Sequence, residues 1–168
     1  MIRAPICEVC MKSDVLCPVD EEKLRRGEIS ELDVKISRIL YDLDRKYRIG
    51  PDFEFVKAYD MRSFVLVLVR GDIGRLIGKG GKVLRAFRQR VGKPVRIVEV
   101  GVDLKKSLQD LFGNVRVLGV DIVFRPEGQI YRIRVPRREL RYLSFPYADV
   151  VRALGILLES QPFEIAVV

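Results

Sequence analysis

Two short clusters in this chain of 168 residues have the residue types and spacing for ligand chemistry. The first is Ile77-Gly78-Lys79-Gly80-Gly81-Lys82. Gly78 and Gly81 bracket two residues, so the backbone turns sharply with little side-chain bulk between it and a ligand. The helix that opens near Gly81 presents amides with no intrahelical acceptor, and Lys79 and Lys82 place positive charge beside them, which together suit a phosphate group. The second cluster, near the N-terminus, is Cys7-x-x-Cys10 followed after six residues by Cys17-x-x-Asp20. Two such pairs can meet as a tetrahedral site of three thiolates and one carboxylate around a metal ion.

Each cluster has competing readings. A Walker A loop needs Gly-Lys-Ser/Thr, but Lys79 is followed by Gly80 and Lys82 by Val83, so the hydroxyl that would hold Mg²⁺ is missing. The dinucleotide fingerprint needs a further glycine three residues past its second one, and Lys82-Val83 supplies none. A phosphate-backbone contact is therefore favoured over nucleotide binding and over a plain surface turn. At the cysteines a structural Zn²⁺ is expected, with Cys7, Cys10, Cys17 and Asp20 as ligands. A site that has lost its fourth ligand stands beside that reading, because the chain has no histidine to substitute. A redox Cys-x-x-Cys requires a thioredoxin-like unit that is not there, and three cysteines within the first 17 residues would staple nothing behind them. Residues 1–30 carry a net charge of −1, which suits docking or protein contact better than phosphate binding.

The elements that must position the glycine turn follow from hydrophobic spacing. Ser30 with Asp33 forms a capping box, and Leu32, Ile36, Ile39, Leu40, Leu43 and Tyr47 mark one face of a helix ending before Gly50-Pro51. Phe53 to Tyr59 and Phe64 to Val69 read as paired strands. Val83, Leu84, Phe87 and Val91 repeat at helical spacing, and Val95 to Val98 reads as another strand after Gly92 and Pro94. The order is helix, strand, strand, short helix, Gly-x-x-Gly, helix, strand. With Arg70-Gly71-Asp72-Ile73-Gly74-Arg75-Leu76 leading into the turn, residues 30 to 100 resemble a KH domain of type II. The wording is closest to the KH domains of transcription factor NusA and its archaeal relatives.

That resemblance implies a clamp for the backbone of about four single-stranded nucleotides. Carried over, Gly78, Lys79, Gly80 and Gly81 form the clamp, Ile77 and Leu84 line the base groove, and the Val95 to Val98 strand borders it. Charge agrees independently. Residues 61–100 hold ten Lys or Arg against two acids, a net of +8 that equals the net charge of the whole chain. Arg75, Lys79, Lys82, Arg85, Arg88 and Arg90 are the candidate phosphate contacts.

The second half repeats the element order. Asp103 to Phe112 reads as a helix, Val115 to Phe124 and Gln129 to Val135 as strands, Tyr147 to Glu159 as a helix and Phe163 to Val168 as a last strand. A shift of 67 residues sets Arg152-Ala153-Leu154 against Arg85-Ala86-Phe87, and Phe145-Pro146-Tyr147-Ala148 against the glycine turn. The second copy lacks both glycines and loses an amide to proline, so it resembles a degenerate KH domain. Packing against the first copy is its expected role, with Phe145, Tyr142 and Tyr147 assigned to that contact before base stacking. Arg132, Arg134, Arg137, Arg138 and Arg141 keep an extended phosphate track open.

The expected architecture is thus α/β (α+β): two tandem type II KH-like domains, at 30–101 and 102–168, behind a metal-binding knuckle at 1–29. Units of 65 to 70 residues are marginal alone, so a rigid pair is expected. With no histidine and no serine beside a recognisable base, a non-enzymatic protein is expected. Its expected ligand is single-stranded RNA, with single-stranded DNA left open. Transcription termination or elongation is the expected setting, and ribosome assembly or translation the alternative. In a further alternative the pair is a scaffold that docks RNA polymerase or a ribosomal partner. The lack of an 18-residue apolar run or signal peptide leads to an expectation of a cytoplasmic protein without a membrane partner. The oligomeric state is not legible.

Overall fold

The computed structural model describes residues 1–168. Two short helices, α1 (Glu8–Lys12) and α2 (Pro18–Arg25), precede the long α3 (Glu31–Tyr47). Ser30 Oγ accepts the Asp33 N–H at 3.0 Å and the Asp33 carboxylate accepts the Ser30 N–H at 2.9 Å, closing the capping box. The same buried carboxylate accepts the Ala58 N–H at 2.8 Å and the Lys57 ammonium at 3.0 Å, so the start of α3 is tied to the strand beneath it.

That strand, β1 (Phe53–Asp60), pairs antiparallel with β2 (Val65–Gly71), which pairs in parallel with β3 (Val95–Glu99). A parallel pair needs a helical crossover. It is supplied by α4 (Ile73–Ile77), a 3-10 turn at Lys79–Gly81 and α5 (Lys82–Val91). The pattern then recurs as α6 (Leu104–Phe112), β4 (Gly119–Arg125), β5 (Gly128–Val135), a 3-10 turn at Arg137–Tyr142, α7 (Tyr147–Leu157) and β6 (Phe163–Val167). The second sheet is ordered β4-β5-β6 with the same antiparallel and parallel pairings. The fold is a mixed α/β arrangement of two sheet-and-helix units resembling tandem KH-like modules, with a cysteine-rich N-terminal knuckle.

One strand start differs from the hydrophobic pattern. Val115 and Val117 are buried, yet β4 begins only at Gly119. The Arg116 N–H is taken by Glu139 at 2.8 Å and the Val117 N–H by Gln109 at 2.9 Å, so side chains satisfy this stretch in place of a ladder. At the other end, α7 stops at Leu157 rather than Glu159, because Glu159 and Ser160 take left-handed φ values of 52° and 64°.

The apolar residues form two large cores on opposite faces of one strand. Val65, Val67 and Val69 of β2 pack with Ile36, Leu40 and Phe87 of α3 and α5. Phe64, Leu66 and Leu68 pack with α6, α7 and the second sheet through Leu108, Phe112, Leu154 and Ile133. The Phe64 and Phe145 rings stack at 4.3 Å across this junction. A third, smaller core joins Ile6, Cys10 and Met11 of the knuckle to Val34 and Tyr41 of α3. Arg3 exchanges backbone bonds with Phe53 and Phe55, covering the free edge of β1. No helix is long and apolar enough to cross a membrane.

Phe64 is fully buried and belongs to the core that joins the units. Phe64→Ala is expected to destabilise the protein by about 3–5 kcal/mol, measured by urea unfolding. A loss below about 1 kcal/mol, the level of an ordinary surface or conservative change, would contradict a shared core.

Candidate nucleic-acid interface and metal centre

Helix α4 ends where Gly78 swings to φ 74°, and Gly80 and Gly81 follow at φ 64° and 76°. A Cβ on Gly78 would lie 2.5 Å from the Val83 side chain, so this position excludes other residues on space as well as on φ. Gly80 has nothing within 4 Å of its missing Cβ and faces open space. The Arg85 guanidinium donates to the Gly80 carbonyl at 2.6 Å, which braces the turn from the helix that follows it. Lys79 stands exposed at the tip.

Beside the turn lies a groove of about 400 Å³. Ile73 and Ile77 of α4, Leu84 of α5, and Val95 and Ile97 of β3 make its apolar walls. Arg88 and Arg96 rim it, and Glu99 shares a third side with Lys106 and Asp110 of α6. Ile77, Leu84 and Arg88 therefore meet the glycine turn in one surface, as does the β3 strand. The other arginines and lysines read from the sequence have attachments of their own. Arg75 pairs with Asp72 at 3.2 Å, Arg90 with Asp42 at 3.0 Å, and the Lys82 ammonium sits 5.4 Å over the Tyr47 ring. Lys79, Lys82, Arg85, Arg88 and Arg96 form no ion pair.

Sequence reading missed Arg96 and the whole α6 wall. Arg96 lies on the opposite face of β3 from Ile97 and stacks 5.1 Å over the Phe145 ring, with its Nε unpartnered. Burial, and then the charge of Arg88, lower its pKa. Lys106 and Asp110 reach the groove only through tertiary packing, for which the sequence carries no local signal. In the second unit Pro146 caps α7 with φ −53°, Phe145 is spent on the junction, and Tyr142 and Tyr147 are about half exposed.

The cysteine knuckle converges on one point. Cys7 and Cys17 cap α1 and α2, so Cys10 and Asp20 follow on the first turn of each helix. The four candidate ligand atoms of Cys7, Cys10, Cys17 and Asp20 lie within 4.8 Å of one another. The Cys7 and Cys10 sulfurs are 3.4 Å apart. Sulfurs held about 2.3 Å from one tetrahedral ion would stand nearly 4 Å apart, so the set fits a metal after a small expansion. Burial pushes the Cys10 thiol up to about 12, so an ion binding there must displace a firmly held proton. Burial alone would raise the Asp20 carboxyl, but the Cys7 N–H, the neighbouring thiols and Lys23 hold it down at about 2. The Asp20 N–H lowers Cys17 despite its partial burial. Asp20 is thus an ionised, almost fully buried donor facing three sulfurs, and the cluster can coordinate a metal ion.

No protein-family model matches the chain. Over 98 residues it is 33% identical to the probable transcription termination protein NusA of Methanococcus vannielii, a match covering 58% of this chain and 57% of that protein. The chain thus spans little more than half the length of the curated relative it matches. The crystal structure of APE1850 is similar with a TM-score of 0.54 at 21% sequence identity, over 76% of this chain and 95% of that one. At that identity the likeness is one of fold.

The ligand set carries its own test. Elemental analysis of the purified protein is expected to give one bound metal ion per chain, lost in Cys10→Ser. Because the sheets, and α3 through Ile36, Ile39, Leu40 and Leu43, pack in cores that do not include Cys10, circular dichroism of that variant should keep most of its helix and strand signal. Undiminished metal content in Cys10→Ser would remove the proposed ligands.

Proposed function

We propose that the chain is a non-enzymatic, NusA-like protein that binds single-stranded RNA and acts in transcription termination or elongation. One observation carries the reading: an exposed turn of three glycines at positive φ, tipped by Lys79, opens onto an apolar groove beside which Lys79, Lys82, Arg85, Arg88 and Arg96 have no carboxylate partners. Such a turn brings backbone amides against phosphates, and the groove accepts the unstacked bases. Gly78, Lys79, Gly80 and Gly81 serve as the clamp, Ile77 and Leu84 receive bases, and Arg88 contacts phosphate. Arg75, Lys82 and Arg85 support the turn and add to its field. Single-stranded DNA shares the phosphate backbone and is separated from RNA only by contacts to the 2′-hydroxyl. The similarity to the probable transcription termination protein NusA of Methanococcus vannielii supports the setting in transcription. Ribosome assembly or translation is the alternative for the same chemistry.

In this reading residues 30–101 are the RNA-binding unit, 102–168 a partner unit without a clamp, and 1–29 a knuckle organised by Zn²⁺, which suits three soft thiolates and a carboxylate. The knuckle favours a second role. Val9, Val15 and Val19 are 68%, 73% and 66% exposed, a concentration of bare apolar side chains within a short segment. We assign this surface to a protein partner such as RNA polymerase or a ribosomal protein, with cytoplasmic action.

The test is a double substitution, Lys79→Asp with Gly80→Asp. The second change is sterically tolerated, since Gly80 faces open space and Asp is among the residues that accept a left-handed backbone. Affinity for single-stranded RNA should fall by about tenfold or more because two negative charges face the phosphates. Titrations at two salt concentrations check this, with binding weaker at high salt. Equal binding by wild type and variant would move the function to the knuckle or the second unit.

A further inference from the structure

Strand β3 directs Val95, Ile97 and Glu99 toward one face, and that face lines the groove. Ile97, backed by the buried Val95, offers apolar surface to a stacked base. The third, Glu99, is a carboxylate, in a groove bordered also by Arg88, Arg96, Lys106 and Asp110. Its backbone is fixed from both sides: the Glu99 N–H donates to Asp110 Oδ2 at 3.0 Å, and Ser107 Oγ donates to the Glu99 carbonyl at 2.6 Å. The side chain is ion-paired with Lys106 but accepts no close hydrogen bond. The Lys106 ammonium lies 3.7 Å from Glu99 Oε2, beyond hydrogen-bond range, and donates instead to Asp110 at 2.5 Å. No other group of the protein donates to this carboxylate, although its side chain is only 22% exposed.

A carboxylate with lone pairs open to the groove, at the end of an apolar slot, is placed to accept from a donor that enters it. A phosphate cannot be that partner, because like charges repel. The edge of a base can. Adenine, cytosine and guanine carry exocyclic amino groups that donate to a carboxylate, whereas uracil offers only its N3–H, set between the O4 and O2 carbonyls whose oxygens repel the carboxylate. Resting on the reading of this groove as a nucleic-acid site, we propose that Glu99 is its specificity determinant, selecting an amino-bearing base over uracil at the position nearest α6. Lys106 and Asp110 act behind it as positioning residues, the first by its charge and the second through the Glu99 backbone.

The experiment is an anisotropy titration of labelled oligo(A), oligo(C) and oligo(U) RNA of about eight nucleotides, twice the length that a clamp of this type holds. It compares wild type, Glu99→Gln and the Lys79→Asp/Gly80→Asp variant. Wild type is expected to bind oligo(A) or oligo(C) about fivefold or more tighter than oligo(U). Glu99→Gln keeps the backbone bonds and the side-chain volume, so its thermal midpoint should hold. Its amide can donate to uracil O4, so the preference should shrink to about twofold or less, through a gain for oligo(U). Removing one negative charge strengthens binding to every polymer alike and cancels in the ratio. Equal wild-type affinities that still depend on Lys79 and Gly80 would overturn this proposal and leave the RNA reading standing. A ratio unchanged in Glu99→Gln, or an equal loss for all three polymers, would also overturn it. Failure of wild type to bind any of them would remove the RNA reading and this proposal together.

Discussion

Val65, Val67 and Val69 face α3 and α5 from one side of β2 while Phe64, Leu66 and Leu68 face α6, α7 and the second sheet from the other. The strand therefore has no solvated side, and each of its two covers depends on the other to keep the strand out of water. Fully burying an apolar side chain of this size contributes about 1.5–3 kcal/mol, so neither unit could expose its half of β2 without a loss comparable to much of a small domain's stability. The rigid pairing also builds the groove. Its floor is β3, held in register by β2, and one of its walls is α6, which arrives with the second unit.

The repeat has diverged at the positions that would face a ligand. Arg85 and Arg152 occupy equivalent places on α5 and α7. Arg85 donates to the Gly80 carbonyl and stiffens the turn that meets solvent, while Arg152 donates to the Met61 carbonyl of the first unit at 3.0 Å and pairs with Asp149. Phe145, which stands where Gly78 does, fills the junction between Phe64 and Arg96. One copy keeps its loop for a ligand. The other has turned the same loop inward, exchanging backbone access for buried area.

What the sequence disclosed and what it withheld divide along contact range. The capping box at Ser30, the glycine turn, the doubled element order and the convergence of Cys7, Cys10, Cys17 and Asp20 were legible because each depends on spacing within a few residues or on a repeated pattern. The helices of the knuckle, its docking on Val34 and Tyr41, and the Arg3 strap on β1 were not, since none has a local signature. The late start of β4 was hidden for a related reason. Val115 and Val117 alternate as a strand would, and only the arrival of Gln109 and Glu139 shows that their backbone is satisfied otherwise. Within the groove, Leu84 could be read from helical periodicity, but Lys106 and Asp110 could not.

Charge pairing, as well as charge count, shapes the field that this molecule would present to a polyanion. The sequence offered two basic surfaces, one around the glycine turn and one on the second sheet. On the second sheet Arg125 and Arg132 share Glu164 and Arg134 pairs with Asp121, and beside it Arg116 pairs with Glu139. A phosphate approaching there must displace a carboxylate from each arginine and gains little net attraction, because the paired charges already cancel at a distance. Lys79, Arg85, Arg88 and Arg96 have no such partners, and they stand around low-dielectric walls of Ile77, Leu84 and Ile97 that concentrate their field. The extended track is therefore neutralised at Arg132 and Arg134, whereas Arg137, Arg138 and Arg141 form no ion pair. The unpaired cations beside the glycine turn thus border a groove that also holds Glu99, a carboxylate that accepts no close hydrogen bond from the protein.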